Sequence, residues 1–422
     1  MAKIIQLAVL SLLVLLALIF FDKSYDDVKS LRSKAVNKSD TVNIAVVWDK
    51  EVKDFLLMEG VTLAADEINE KKGLFGRKIK IKVFYSKNNA DELKLAKEVA
   101  KDTSFAAVIG HRSSANAIPA SIIYEYYGLL FLSPSASSSN LTNHGFGYTF
   151  STIPSDSYVS REIAVFMKAQ GHKKIAIVDD RSLSGKEIAD GVMESLADMG
   201  LPTTVRRHYS PGQIDFKPLC AELTKHEFDA LFVGGHLPAA AEFIREARNM
   251  GIKQRVYGGN SIDSRTLERI AGNAANGTVV PTSFNLDLAN PVTLEFVKNF
   301  KKKYRKPPDT RAAHGYDSMK ILFEAMKKSK TADPSVVASN MRFIKNFPGV
   351  TGNYTFNLSG EMEDTKSYFK YLNQTRFIYF DAPNEAEDET RDEPKVESKV
   401  EPKVESKVES KVEPKVEPKV KN

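Results

Sequence analysis

Apolar residues in this chain come in short runs separated by stretches of helical periodicity. Asn43-Ile44-Ala45-Val46-Val47-Trp48 is a run of strand length. Met58, Val61, Ala65 and Ile68 then recur three or four apart, one face of a helix, and Gly73 and Gly76 close it. Over 78–85 Lys alternates with Ile and Val, the pattern of a strand with one wet face. The same reading gives a helix over 90–102, a strand over 105–109, a helix over 115–127 and a strand over 129–132. Strand-helix alternation of this kind predicts a parallel sheet with helices on both faces.

The pattern restarts after Tyr148-Thr149-Phe150-Ser151-Thr152-Ile153-Pro154. Helices are predicted over 158–169, 186–199, 216–226 and 239–250, and strands over 174–178, 203–208, 230–233 and 255–257. Pro281-Thr282-Ser283-Phe284 breaks it a second time, and helices over 291–304, 311–329 and 334–340 follow. Residues 354–356 and 368–380 read as strands, with a turn at Leu358-Ser359-Gly360. The fold class is therefore α/β, with two doubly wound units.

Both ends of the chain differ from this body. Residues 4–21 are apolar apart from Gln6 and Ser11, and as a helix would span about 27 Å, near the hydrocarbon thickness of a bilayer. Ala17-Leu18-Ile19-Phe20-Phe21 offers no small-x-small cleavage site, so the run (residues 1–21) is expected to be an uncleaved membrane anchor, with a cleaved signal as the alternative. Either way the rest lies outside the cytoplasm: tethered to the outer face of the cytoplasmic membrane, or released into the periplasm. Residues 22–41 are polar without sustained periodicity and are expected to be a juxtamembrane spacer. From Glu393 to Val420 the chain repeats Glu-(Pro/Ser)-Lys-Val seven times, which cannot build a core, so 381–422 is expected to be a disordered tail.

Composition removes several function classes. Apolar content of 42% supports a sizeable core, and the net charge of +6 is spread among acidic neighbours without a nucleic-acid footprint. Cys220 is the single cysteine, which excludes an internal disulfide and a cysteine-based metal site; it is expected to be a small buried hydrophobe. The histidines lack ligand spacing, and no cofactor or metal is expected. No Gly-x-Ser-x-Gly elbow, no phosphate loop and no Gly-x-Gly-x-x-Gly after the first strand is present, so the chain is not expected to be an enzyme.

The chemistry sits instead at two strand ends. Val108-Ile109-Gly110-His111-Arg112-Ser113-Ser114 and Leu132-Ser133-Pro134-Ser135-Ala136-Ser137 each run from apolar residues into small and hydroxyl ones. In open parallel sheets ligands settle beyond the carboxyl ends of the strands, and serine hydroxyls with free amides suit an anion.

Several segments, in order, resemble the branched-chain amino-acid-binding (Leu/Ile/Val-binding) family of type I periplasmic binding proteins, the receptors of ABC transporters. They are Val108 to His111, Pro119-Ala120-Ser121, Leu132-Ser133-Pro134, Ala271 to Gly277, Gly315-Tyr316-Asp317, and Phe347 to Gly352 with Phe356 and Gly360. The resemblance covers about 42–380. It implies two lobes, 42–152 with 283–348 and 153–282 with 349–380, joined by three crossovers near 150–154, 280–284 and 347–352.

It further implies a ligand trapped between the lobes: an amino acid or another small carboxylate, delivered to an ABC permease. The alternative is a membrane-tethered sensor or scaffold without transport. Carried over by position, Ser114 holds the ligand carboxylate, and Ser135, Ala136 and Ser137 supply a backbone and a hydroxyl contact. Ser184, His236 and Asn260 face them from the second lobe, and Trp48 is expected in the pocket wall. The second lobe departs from the family, which often has an aromatic at 184, a tyrosine at 236 and, in amino-acid binders, an acid at 260. Asp263 is the nearest acid in sequence to Asn260.

Overall fold

The computed structural model describes residues 28–49, 56–210, 212–288, 290–363 and 366–380. The expected anchor and tail lie outside them. Among the described residues no helix is long and apolar enough to cross a membrane.

A helix over residues 28–38 (α1) leads into the first sheet. Its strands are β1 (Thr41–Asp49), β2 (Lys78–Ser86), β3 (Phe105–Gly110), β4 (Leu130–Ser133) and β5 (Thr149–Ser151), parallel and ordered β2-β1-β3-β4-β5. Period-two alternation divides β1 between two cores: Ile44, Val46 and Trp48 face one layer, Ala45 and Val47 the other. Helices α2 (Leu57–Glu70), α3 (Asn89–Lys101) and α4 (Ser114–Tyr126) connect these strands.

The second sheet takes β6 (Ile175–Asp179), β7 (Thr203–His208), β8 (Ala230–Gly234), β9 (Arg255–Gly258), β10 (Val279–Thr282), β14 (Tyr368–Asn373) and β15 (Arg376–Tyr379). Its order is β15-β14-β10-β9-β8-β6-β7, with β14 and β15 as an antiparallel edge on a parallel sheet. Helices α5 (Asp156–Ala169), α6 (Leu183–Asp198), α7 (Lys217–Leu223), α8 (Ala239–Asn249) and α9 (Arg265–Ala271) belong to this lobe.

The chain then returns to the first lobe as α10 (Pro291–Tyr304), α11 (Thr310–Ser329) and α12 (Pro334–Met341), whose Phe296, Met319 and Val337 join the core beneath β1. So do Tyr354, Phe356 and Met362 of the small antiparallel sheet β11 (Phe347–Gly349), β12 (Gly352–Phe356) and β13 (Met362–Glu363), and Val350 in the turn between its first two strands. The third crossover therefore falls between Glu363 and Tyr368, not at 347–352. The Phe347–Gly352 motif instead builds a turn held by Asp317, whose carboxylate accepts from the Val350 and Thr351 amides at 2.9 and 3.0 Å.

The described part of the expected spacer, from residue 28, is structured. Val36 is buried in the first core, and the buried Arg32 guanidinium donates to the carbonyls of Ala100, Asp102, Phe105 and Tyr127. The helix escaped detection because the middle of its Val28, Arg32, Val36 stripe is charged.

Close approach of α2 and α11 fixes the front of the first lobe. A Cβ on Gly60 would lie 1.9 Å from the Ala312 carbonyl oxygen, and one on Gly315 would lie 2.5 Å from that of Leu57. Both positions require glycine for the helices to pack as they do.

Candidate ligand-binding cleft

The loops after β3 and β4 face those after β6, β8 and β9 across a cleft with about 490 Å³ of unfilled space. Ser113 precedes α4 without a side-chain capping bond, and the first amides of the helix, which have no intrahelical partner, lie at the cleft. The Ser114 hydroxyl accepts from the Ser138 amide at 3.1 Å, tying the two first-lobe loops together. Ser135 donates to the Arg112 carbonyl at 2.9 Å, a second tie between them.

The first loop is braced from below. Buried His111 places Nδ1 2.7 Å from Glu92 and Nε2 2.9 Å from the Tyr124 hydroxyl, and Asn116 donates to the same carboxylate. His111 thus fixes the loop and does not reach the cleft lining.

In the second lobe Asp180 is the organising group. It accepts from His236 Nδ1 and from the His236 amide, each at 2.9 Å, and from the Ser182 amide at 2.9 Å. Burial would raise its pKa, but the His236 and Ser182 contacts outweigh burial and hold the carboxylate below its ordinary range. His236 Nε2 is thereby turned toward Ser184, 3.1 Å away.

Across the cleft, Glu187 of α6 accepts from the Ser138 hydroxyl at 2.5 Å and the Ser139 amide at 2.8 Å. These bonds join the two lobes. Near the crossovers Thr310 donates to Asp263 at 2.8 Å and lies 3.0 Å from Thr282, and Ser283 lies 2.7 Å from His314 Nε2.

Of the residues expected in the site, Ser114, Ser135, Ser137, Ser184, His236 and Asn260 line this one pocket. Ala136 does not: it is buried, and its amide donates to Ser133 Oγ at 3.3 Å. Trp48 does not either. It shares the parity of Ile44 and Val46 on β1 and packs into the core with them. Asp263 is taken by Lys370 at 2.7 Å as well as by Thr310, and is not part of this lining.

The pocket adds Asp156, Arg112, Ile188, Ser261 and Arg311, which sequence reading did not assign to it. Ser155-Asp156 reads as a helix start, and Ser155 does cap α5. Arg311 left a usable signal: a cation in the first turn of a helix opposes the macrodipole. It is buried, its charge disfavoured by desolvation and favoured by Asp263 and Asp309.

Comparison with known proteins agrees with this architecture. The family profile described as periplasmic binding protein matches residues 56–370. The leucine-, isoleucine-, valine-, threonine-, and alanine-binding protein of Pseudomonas aeruginosa is 27% identical over 72% of this chain and 82% of its own length. The leucine-specific-binding protein of Salmonella typhimurium is 30% identical over 67% of this chain and 77% of its own. An ABC transporter substrate-binding protein from Desulfitobacterium hafniense, solved in complex with Leu, superposes with a TM-score of 0.74 at 30% identity. That match covers 81% of this chain and 100% of the other. The chain belongs to the periplasmic binding protein family.

Proposed function

We propose that this chain is an extracytoplasmic solute receptor that traps a small carboxylate-bearing ligand between its lobes for an ABC-type importer. The observation that carries the reading is the facing of two half-sites: hydroxyls and the α4 N-terminus on one lobe, His236, Ser184 and Asn260 on the other. Neither half encloses a ligand alone, so closure is favoured by a molecule that touches both. Relatives named for binding leucine and other amino acids support the class of ligand. The test is a thermal-shift screen of amino acids and small carboxylates, followed by calorimetry on the hits. Binding of no member of either class overturns the reading.

A second reading keeps the domain but replaces transport with sensing or scaffolding at the membrane. The apolar run over 4–21 and the neutral Asn260 favour it. We propose that this run anchors the domain to the membrane. Retention of residues 1–21 in a membrane-sedimenting mature protein is the expected result; a soluble form beginning beyond Phe21 overturns it. Ligand-dependent uptake lost on deleting the gene separates transport from sensing.

A further inference from the structure

The ligand cleft lies at the carboxyl ends of the first-lobe strands; α1 lies at their amino ends, where Arg32 binds carbonyls at the start of β3 and ahead of β4. Three segments meet along this edge. The outer stripe of α1 exposes Leu31, Lys34 and Lys38. The loop between α2 and β2 docks on the end of α1, where Arg77 donates to the Val36 and Thr41 carbonyls at 2.7 and 3.0 Å; it exposes Lys71 and Lys72. The end of α11 joins through Thr331, which donates to Asn37 at 2.9 Å, and exposes Lys328 and Lys330.

The edge is basic. Asp40 is the only acid within residues 28–40, 71–77 and 327–331. Of the acids that adjoin them, Glu324 pairs with Lys327, and Asp333 is taken by Ser33 and by the first turn of α12. Exposed Asp40, Glu70 and Asp102 are left to offset a larger number of lysines.

It also exposes apolar surface at a conformational cost. Paired backbone bonds between Leu74 and Arg77, at 2.8 and 2.9 Å, close a two-residue turn over Phe75 and Gly76. Both turn residues have positive φ, 53° and 82°, a geometry that favours Asn-Gly. Leu74 is buried in the first core, whereas Phe75 is 54% exposed and Leu31 56%. A bulky ring held at positive φ in water is unfavourable on both counts and stabilises nothing inside the lobe. Lysines around exposed aromatic and aliphatic side chains are the composition of a surface that lies on lipid.

We propose that this edge of the first lobe is a membrane-docking face, its lysines on anionic phospholipid headgroups and Phe75 and Leu31 entering the boundary between headgroups and acyl chains. The inference rests on the anchor reading above. Six residues, 22–27, separate the apolar run from α1, and fully extended they reach about 20 Å. So short a tether presents this edge, before any other surface of the lobe, to the bilayer. The attraction is electrostatic and weakens with salt. The ligand cleft, at the opposite edge, then faces away from the lipid.

The experiment uses the full-length chain in vesicles whose acyl chains are brominated and quench indole on contact. Phe75→Trp is the reporter; the single native tryptophan, Trp48, is buried in the core and supplies the background. In phosphatidylglycerol vesicles at low salt the reporter should lose at least a third of its emission, and the parent almost none. The loss should fall at least threefold in phosphatidylcholine vesicles, and likewise when Lys34→Glu, Lys38→Glu, Lys71→Glu and Lys72→Glu are combined. Melting curves report folding, and Leu31→Trp carries the test where Phe75→Trp is unfolded. Retention through an alkaline carbonate wash reports the anchor separately. A retained chain whose reporter is not quenched overturns the docking face and leaves the anchor standing. Quenching as strong in phosphatidylcholine, or undiminished by the charge reversals, also overturns it. Quenching in a chain that the wash releases sinks the anchor and leaves the face. Release without quenching sinks both.

Discussion

Arg32 spends a whole guanidinium on four carbonyl oxygens, three at the junction of α3 with β3 and one at the end of α4. Burial lowers its pKa to about 10, still far above neutral pH, so the cation persists. Replacing it leaves buried carbonyls unpaired, at about 1–3 kcal/mol for such a group. Arg32→Ala should lower the urea stability by at least that much.

Ser114 tests ligand binding. Losing a hydrogen bond to a charged ligand group costs about 1.5–3 kcal/mol, roughly ten- to a hundredfold in affinity. Ser114→Ala should weaken an amino-acid ligand by that factor in calorimetry without moving the melting temperature far. Asp156 adds a pH dependence. Its folded value, about 7, lies above the ordinary 3.8, so the folded state holds the proton more tightly. The parent therefore loses stability from this group as pH rises between about 4 and 7. Asp156→Asn cannot titrate, and its unfolding free energy relative to the parent should climb across that window; a flat difference would contradict the burial argument. Most first-lobe site residues were legible because Ser clusters directly follow apolar runs. Asp156 was not, since an acid beside Ser155 is also what a helix start looks like.

At the scale of elements, the strands and helices followed from periodicity wherever one face is buried. Periodicity failed where a charge occupies the buried stripe, as in α1, and where parity decides direction, as with Trp48. It did not place the chain after α12, where the family resemblance put 349–380 in the second lobe although Val350, Tyr354, Phe356 and Met362 pack in the first. A run such as 347–363 is too short to announce which lobe it joins; only the burial of Tyr354 and Phe356 against Phe150 and its neighbours assigns it to the first. The contact of α2 with α11 gives a direct test of element packing. A Cβ at position 60 collides with backbone, which cannot swing aside as a side chain can. Gly60→Ala should destabilise by about 1–3 kcal/mol in urea melts. It should also weaken ligand binding, because α11 carries Arg311 into the cleft. An unchanged affinity would show that Arg311 is placed independently of that packing.

For the whole molecule, three crossovers and a few polar bonds set the balance between open and closed lobes. Glu187 contributes two of those bonds, each worth about 0.5–1.5 kcal/mol net. Glu187→Ala should shift the unliganded population toward open forms, seen as a larger radius of gyration in small-angle scattering. It should also lower affinity by roughly tenfold, since part of the closure energy is then drawn from the ligand.

The docking of α1 has a mechanical consequence. Because Arg32 and Val36 clamp that helix into the first lobe, a force applied to the chain ahead of residue 28 is delivered to that lobe and not to the hinge. If the polypeptide is held from its N-terminal side, the first lobe is the stationary jaw and the second is the one that swings. The moving surface is then the one bearing His236, Ser184 and Glu187. The position of that lobe is then a signal by which a partner distinguishes a loaded receptor from an empty one.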